Sequence, residues 1–155
     1  MRIYHTDESI FDIALRQKQP CVVCVTTNGC LRENGDGVMG AGVAKQCLDI
    51  LPDAETTLGE HLRHNGNIIG ELGQKELVTF LSFPTKHNWR DKSDMDLIRQ
   101  SCFDLLLWKN QHPDIKYVLL TPPGCGLGGL DWETEVGPEI AKILNHRDIL
   151  VVLRK

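Results

Sequence analysis

Three stretches of this chain hold most of the side chains and backbone able to do chemistry. The first, Cys21 to Gln46, reads CVVCVTTNGCLRENGDGVMGAGVAKQ. Its apolar start breaks at Asn28-Gly29 and enters a polar loop carrying Gly35, Gly37, Gly40 and Gly42. Another, PPGCGLGGLDW from Pro122 to Trp132, follows a second apolar run, Tyr117 to Thr121. A glycine-rich loop between a strand and a helix offers free backbone N–H groups and the positive end of a helix dipole, which suits an anion. Glycine lets the backbone approach a phosphate and take positive φ at little cost. Either loop alone is equally well read as a set of tight turns. Two of them facing each other would grip a diphosphate, so the pair points to a phosphate-containing ligand. Neither is a Walker A loop, and GVMGAG over Gly37–Gly42 has the wrong spacing for the dinucleotide fingerprint.

Between them lies PTKHNWRDK, Pro84 to Lys92, with Lys86, His87, Arg90 and Lys92 grouped around Trp89. Lys86 follows a strand and Pro84-Thr85, so its backbone should be well fixed. A lysine kept from water or set among other cations can act as nucleophile or base. The plainer reading is a solvated charge cluster that ties the loop down. Trp89 could stack on a base or simply anchor the loop, and the anchor is expected. His61 and His64 form an HxxH on a helical stretch but show no third ligand, so surface histidines are expected. Asp131 and Glu133 begin the last helical stretch, where carboxylates suit the dipole; Asp131 also lies close enough to the last loop to order a ribose or a water.

The elements that must position these residues follow from periodicity. Arg2–Tyr4 reads as a strand, then a helix capped near Asp7-Glu8-Ser9 runs to Gln17 with Ile10, Ile13, Ala14 and Leu15 inward. Cys21–Thr27 reads as a central parallel strand. Helices are expected at Ala41–Ile50 and from Pro52 to His64. Ile68–Leu72 and Glu76–Phe83 read as strands joined at Gly73-Gln74, with a loop over Pro84–Lys92. Ser93 with Asp96 forms a capping box for a helix to about Asn110. Tyr117–Thr121 is a buried strand, Trp132–Leu144 a helix that Pro138 kinks or delays, and Ile149–Leu153 the closing strand. Alternating strands and helices predict an α/β sandwich, a mostly parallel sheet with helices on both faces. Ligands in such folds sit beyond the C-terminal strand ends, where all three stretches should meet.

The bulk numbers exclude other classes. The chain has 155 residues, 41% hydrophobic and 25% charged, which suits one globular domain over residues 1–155. A net charge of −4 argues against a broad nucleic-acid footprint but leaves room for a local basic patch. No apolar run nears the roughly 20 residues that span a bilayer, and MRIYHTDESI lacks an apolar signal region. A cytoplasmic monomer without membrane contact is expected. Of the six cysteines, Cys21 and Cys24 form a CxxC. Three apart on a strand they face opposite ways, so buried free thiols are expected, as in a reducing compartment.

The set TTNG…GVMGAGVAKQ, FPTKHNWR and PPGCGLGGLDW resembles the macrodomain family, in order and over nearly the whole chain. FPTK-x-x-WR followed by GCGLGGLDW resembles the branch of DarG-type DNA ADP-ribosyl glycohydrolases and terminal ADP-ribose protein glycohydrolases. The resemblance implies a three-layer α/β/α fold, ADP-ribose along the sheet edge, and no cofactor. It implies that Asp7 binds the adenine amino group. Asn28, Gly40, Ala41, Gly42 and Val43 would line the distal ribose and diphosphate, facing Gly124, Cys125, Gly126, Leu127 and Gly128. Lys86 would attack, or move a proton at, C1″ of the distal ribose, with transient opening of the sugar. Two positions depart from the pattern: Val25 stands where many macrodomains have the first asparagine of N-x-x-N, and Gly128 where the protein-directed relatives have an aspartate. The expected function is removal of ADP-ribose from DNA or protein. ADP-ribose 1″-phosphate phosphatase and a non-catalytic ADP-ribose reader are the alternatives.

Overall fold

In the computed structural model, which describes residues 1–155, the chain runs β1 (Arg2–His5), α1 (Ile10–Gln17), β2 (Cys21–Asn28), α2 (Gly42–Ile50), α3 (Ala54–Asn65), β3 (Gly70–Lys75), β4 (Val78–Lys86), α4 (Met95–Gln111), β5 (Tyr117–Leu120), a π-helical turn (Trp132–Val136), α5 (Gly137–Ile143) and β6 (Ile149–Leu153). The six strands form one sheet in the order β1-β6-β5-β2-β4-β3. All neighbours are parallel except the β3–β4 hairpin. The fold is therefore α/β with a mixed, mostly parallel sheet.

The continuous apolar runs are the central strands, because those are covered on both faces. β2 alternates between two cores: Cys21, Val23 and Val25 enter the one shared with α1, α2 and α3, and Val22 and Cys24 enter the one shared with α4 and α5. The CxxC is thus split across the sheet, and burial pushes the Cys21 thiol up to about 11. Fully buried Phe80 and Leu58 on one side and Phe83, Ile98 and Leu105 on the other each contribute about 1.5–3 kcal/mol of transfer free energy. Ser9 caps α1 by accepting from Phe11 N–H, as expected. Phe11 itself is buried, while Leu15 is only half-buried.

Three local expectations are corrected. The β3–β4 turn lies at Glu76-Leu77 and not at Gly73-Gln74. Gly73, at φ 151°, marks a register shift within β3 that leaves Leu72 buried. Pro84, Thr85 and Lys86 belong to β4 and not to a loop. Pairing with β3 ends at Ser82, so β4 finishes as an edge that tolerates a proline. The cap of α4 is Asp94, which accepts from the N–H groups of Asp96 and Leu97, and not Ser93. Pro138 delays α5 behind the π-helical turn. No helix is long and apolar enough to cross a membrane.

Candidate functional site

β2, β4 and β5 run parallel, so the segments that follow them converge on one edge, around a cleft of about 1370 Å³. Its wall contains Asn28, Gly40, Ala41, Gly42, Val43, Lys86 and the whole run Gly124–Gly128. Both glycine-rich loops line it, and Lys86 shares that wall.

The first loop ends in an uncapped helix. Ala41 precedes α2 without a side-chain cap, and the first turn of α2 carries no acidic residue. Its leading N–H groups have no side-chain partner and meet the cleft, which is the arrangement that receives an anion. Gly42 has φ +59°, and a Cβ at Gly40 or Gly42 would meet nothing within 4 Å. Upstream the loop is fastened to α3. Glu55 accepts Met39 N–H at 2.7 Å and pairs with Arg32 at 3.0 Å, and its carbonyl accepts Gly37 N–H at 2.8 Å. Asn28 holds the loop as well as facing the cleft: its amide donates to Val38 O and its Oδ1 accepts Cys30 N–H.

The second loop is tied to itself and to the start of α4. Leu130 N–H donates to Gly124 O at 3.0 Å, Gly129 N–H to Gly126 O, and Ser93 N–H to Gly128 O at 2.9 Å. A Cβ on Gly128 would collide with Ser93 Oγ and the Gly124 carbonyl, which explains why no aspartate stands there. Burial pushes the Cys125 thiol up to about 11, with Asp131 and Glu135 adding to the effect.

Lys86 closes β4 opposite Asn28 in the β2 register. Its Nζ donates to Trp89 O at 3.3 Å and to Leu127 O at 3.4 Å, bridging its own loop to the second glycine loop. Asn67 fixes the backbone here by donating to Lys86 O at 2.9 Å, and Gly29 N–H donates to His87 O at 3.2 Å. His87 Nε2 lies 2.9 Å from Asp94 Oδ2. That hydrogen bond, with those from Asp96 and Leu97 N–H, holds the Asp94 carboxyl below its ordinary range. Trp89 does not anchor the loop: it is 51% exposed in the cleft wall, with the Arg90 guanidinium 4.9 Å from its ring centroid.

Two expected residues lie outside the wall. Asp7 follows the edge strand β1, and its carboxylate accepts Lys155 N–H at 3.3 Å. Asp131 caps the π-helical turn, with Oδ2 bonded to Thr134 N–H and Oγ1, and the Thr134 hydroxyl bond leads in holding its carboxyl low. Val25, in place of an asparagine, is fully buried in the core and not at the cleft. Sequence reasoning missed Arg32, Glu33, Val152 and Arg154 in the wall, and Asn67 and Glu55 behind it. Only the loop's length hinted at Arg32 and Glu33; nothing local marked the others. The wall carries Arg32, Lys86, Arg90 and Arg154 against the single carboxylate of Glu33, a cationic lining in a chain of net charge −4.

No family model matches the chain. It is 28% identical over 141 residues to a DNA ADP-ribosyl transferase–DNA ADP-ribosyl glycohydrolase fusion protein of Thermosipho africanus, covering 76% of this chain and 35% of that protein. It is 33% identical over 107 residues to a DNA ADP-ribosyl glycohydrolase of Thermus aquaticus, covering 64% and 29%. The chain thus spans about a third of the length of the curated relatives it matches. Among solved structures, Thermosipho africanus DarTG in complex with ADP-ribose superposes with a TM-score of 0.76 at 20% identity, over 100% of this chain and 42% of that one. The macrodomain of Mycobacterium tuberculosis DarG superposes with a TM-score of 0.73 at 25% identity, over 97% and 96%.

Proposed function

This chain belongs to the macrodomain family, in the branch of the DarG-type DNA ADP-ribosyl glycohydrolases, and on that footing we propose that it is an ADP-ribosyl hydrolase. It binds ADP-ribose attached to a macromolecule and breaks the bond at C1″ of the distal ribose. One observation carries the reading: Lys86 lines the same cleft as both glycine-rich loops, with its Nζ 3.4 Å from the Leu127 carbonyl, at the end of a strand and not on a free loop. The α2 N-terminus and the Gly124–Gly128 run grip the diphosphate, and Lys86 meets the sugar beyond it. Val152 lies on β6 and Arg154 just past it, toward the edge where Asp7 sits. That end suits the adenine.

Lys86 has two ways to act. As an ammonium it gives a proton to the departing acceptor atom while water adds to C1″, and the proton that the water sheds returns to the lysine amine. As a free amine it attacks C1″; the acceptor leaves with a proton, the sugar opens to an iminium, and water hydrolyses this to ADP-ribose and free lysine. Cyanoborohydride during turnover traps an adduct at Lys86, beyond the level that free ADP-ribose gives, in the second case only.

The deciding experiment is a panel of ADP-ribosylated thymidine in DNA, ADP-ribosyl-glutamate protein and ADP-ribose 1″-phosphate. Release from either of the first two is expected. Processing of the phosphate alone would mean a phosphatase, and processing of none a reader. Lys86→Ala should lower release about 10²- to 10⁴-fold while calorimetric affinity for ADP-ribose changes only a few-fold. Unchanged release in that variant would remove Lys86 from the chemistry.

A further inference from the structure

The two ends of the cleft differ in what they offer a ligand. Lys86 closes β4 and Arg154 follows β6. In the sheet these strands lie three spacings apart, about 14 Å. The glycine-rich loops follow β2 and β5, the two strands between them. A diphosphate on those loops with its sugar at Lys86 therefore sends its base toward Arg154. Val152 and Arg154 both line the wall there, and residues two apart on an extended segment share a face. Neighbouring groups fix the segment that carries them. His5 pairs with Leu153, Thr6 N–H donates to Leu153 O at 2.9 Å, and Lys155 N–H donates to Asp7 Oδ1 at 3.3 Å. Asp7 itself stays outside the wall. Arg154 has no carboxylate partner within 4.0 Å. Glu33, the one carboxylate of the wall, follows β2, two strands away from β6.

We propose that Arg154 reads the base, and that the chain accepts 6-oxopurine nucleoside diphosphate riboses at least as readily as ADP-ribose. The inference rests on the reading of the cleft as a site for ADP-ribose and concerns which base that site selects. Adenine shows an acceptor at N7 and a donor at its 6-amino group, whereas guanine shows two acceptors, N7 and O6. Hypoxanthine, in which a carbonyl replaces the amino group of adenine, shows the same two. A guanidinium has five donors and no acceptor. Its planar fork matches the N7/O6 pair in two parallel hydrogen bonds. To adenine it can give one hydrogen bond, at N7, or stack over the ring, and the 6-amino group then faces another donor. A carboxylate reading the base would reverse this order, because it accepts only. Asp7 is the carboxylate expected for that role. Its Oδ1 accepts from the backbone beside Arg154, which makes Asp7 a positioning residue for the guanidinium.

The test is calorimetry with ADP-ribose, with its hypoxanthine analogue IDP-ribose and with GDP-ribose. Wild type should bind IDP-ribose and GDP-ribose at least as tightly as ADP-ribose. Arg154→Ala should weaken the two 6-oxopurine ligands about 5- to 150-fold and ADP-ribose only a few-fold. Arg154 is exposed, and an unchanged Tm checks that the variant folds. Arg154→Lys should recover only part of the loss, since it keeps the charge without the fork. Asp7→Ala should shift all three ligands by the same factor. ADP-ribose bound about tenfold or more tightly than IDP-ribose would overturn the proposal, and an Asp7→Ala variant that closes this gap would assign the base to Asp7. An Arg154→Ala variant that weakens all three ligands equally, or none, would overturn it as well. If wild type binds none of the three, the ADP-ribose reading itself fails, an outcome distinct from normal ADP-ribose binding with IDP-ribose rejected.

Discussion

The two glycine-rich loops look alike in composition and differ in what their glycines face. In the second loop, Gly124 and Gly128 are buried in protein: a Cβ on Gly124 would come within 2.9 Å of Ile98 and Ser93 atoms, and one on Gly128 would meet Ser93 and the Gly124 carbonyl. In the first loop, Gly40 and Gly42 face open space at the mouth of α2. The second loop uses Gly124 and Gly128 to close on itself and leaves Gly126 open, while the first packs Gly37 against Leu58 and leaves Gly40 and Gly42 open. Loops with the same motif letters can therefore divide their glycines between packing and exposed backbone, in different proportions.

The contrast can be broken at its strongest point by Gly128→Ala. Overpacking of this kind costs about 1–3 kcal/mol, and a calorimetric Tm lowered by several degrees is expected. Ser93→Ala in the same chain should not rescue it, because the Gly124 carbonyl remains in the way. Gly40→Ala should do the converse: Tm stays within about a degree, while ADP-ribose affinity by calorimetry falls roughly tenfold, ~1.4 kcal/mol. Equal effects of the two variants on Tm would erase the distinction between the loops.

Asn67→Ala sharpens the comparison from behind, since it removes the donor to Lys86 O and reaches the first loop only at Gly29, away from Gly40 and Gly42. A loss of about 1 kcal/mol in stability is expected, with kcat falling more than ADP-ribose affinity. The smallest effect concerns acid. The Asp94 carboxyl, held low chiefly by His87 and capping α4, contributes stability that is complete above its ordinary value of 3.8. That stability is lost as pH falls through the lower folded value. The Tm advantage of wild type over Asp94→Ala should thus be level near neutrality and shrink below about pH 4.

Much of this was legible along the chain. Every strand was found within a few residues, and β2, β4, β5 and β6 stood out most because buried parallel strands are continuous apolar runs that need no partner to be recognised. The glycine loops were legible for the same local reason, whereas Lys86 stood out from the cations around it only through the family resemblance. What failed depended on partners distant in sequence. The 84–86 segment reads as a loop because of Pro84, yet pairing with Thr27 and Asn28 makes it strand. Ser93 reads as a cap, but Gly128 takes its N–H and Asp94 caps instead. Asp131 looked free for a ligand, and Thr134 occupies it. Trp89 reads as an anchor, since a tryptophan is usually buried, and only the packed neighbourhood leaves it half-exposed beside Arg90.

By itself, then, the sequence determined the layered α/β architecture, the edge where the site lies and the residue types it holds, because periodicity and backbone freedom are local properties. The tertiary structure alone decided which glycines face open space, that Lys86 reaches the second glycine loop from a strand end, and which carboxylates are already engaged. Those depend on distant neighbours, as Asn67 and Leu127 approach Lys86 from 19 and 41 residues away, and no local pattern records them.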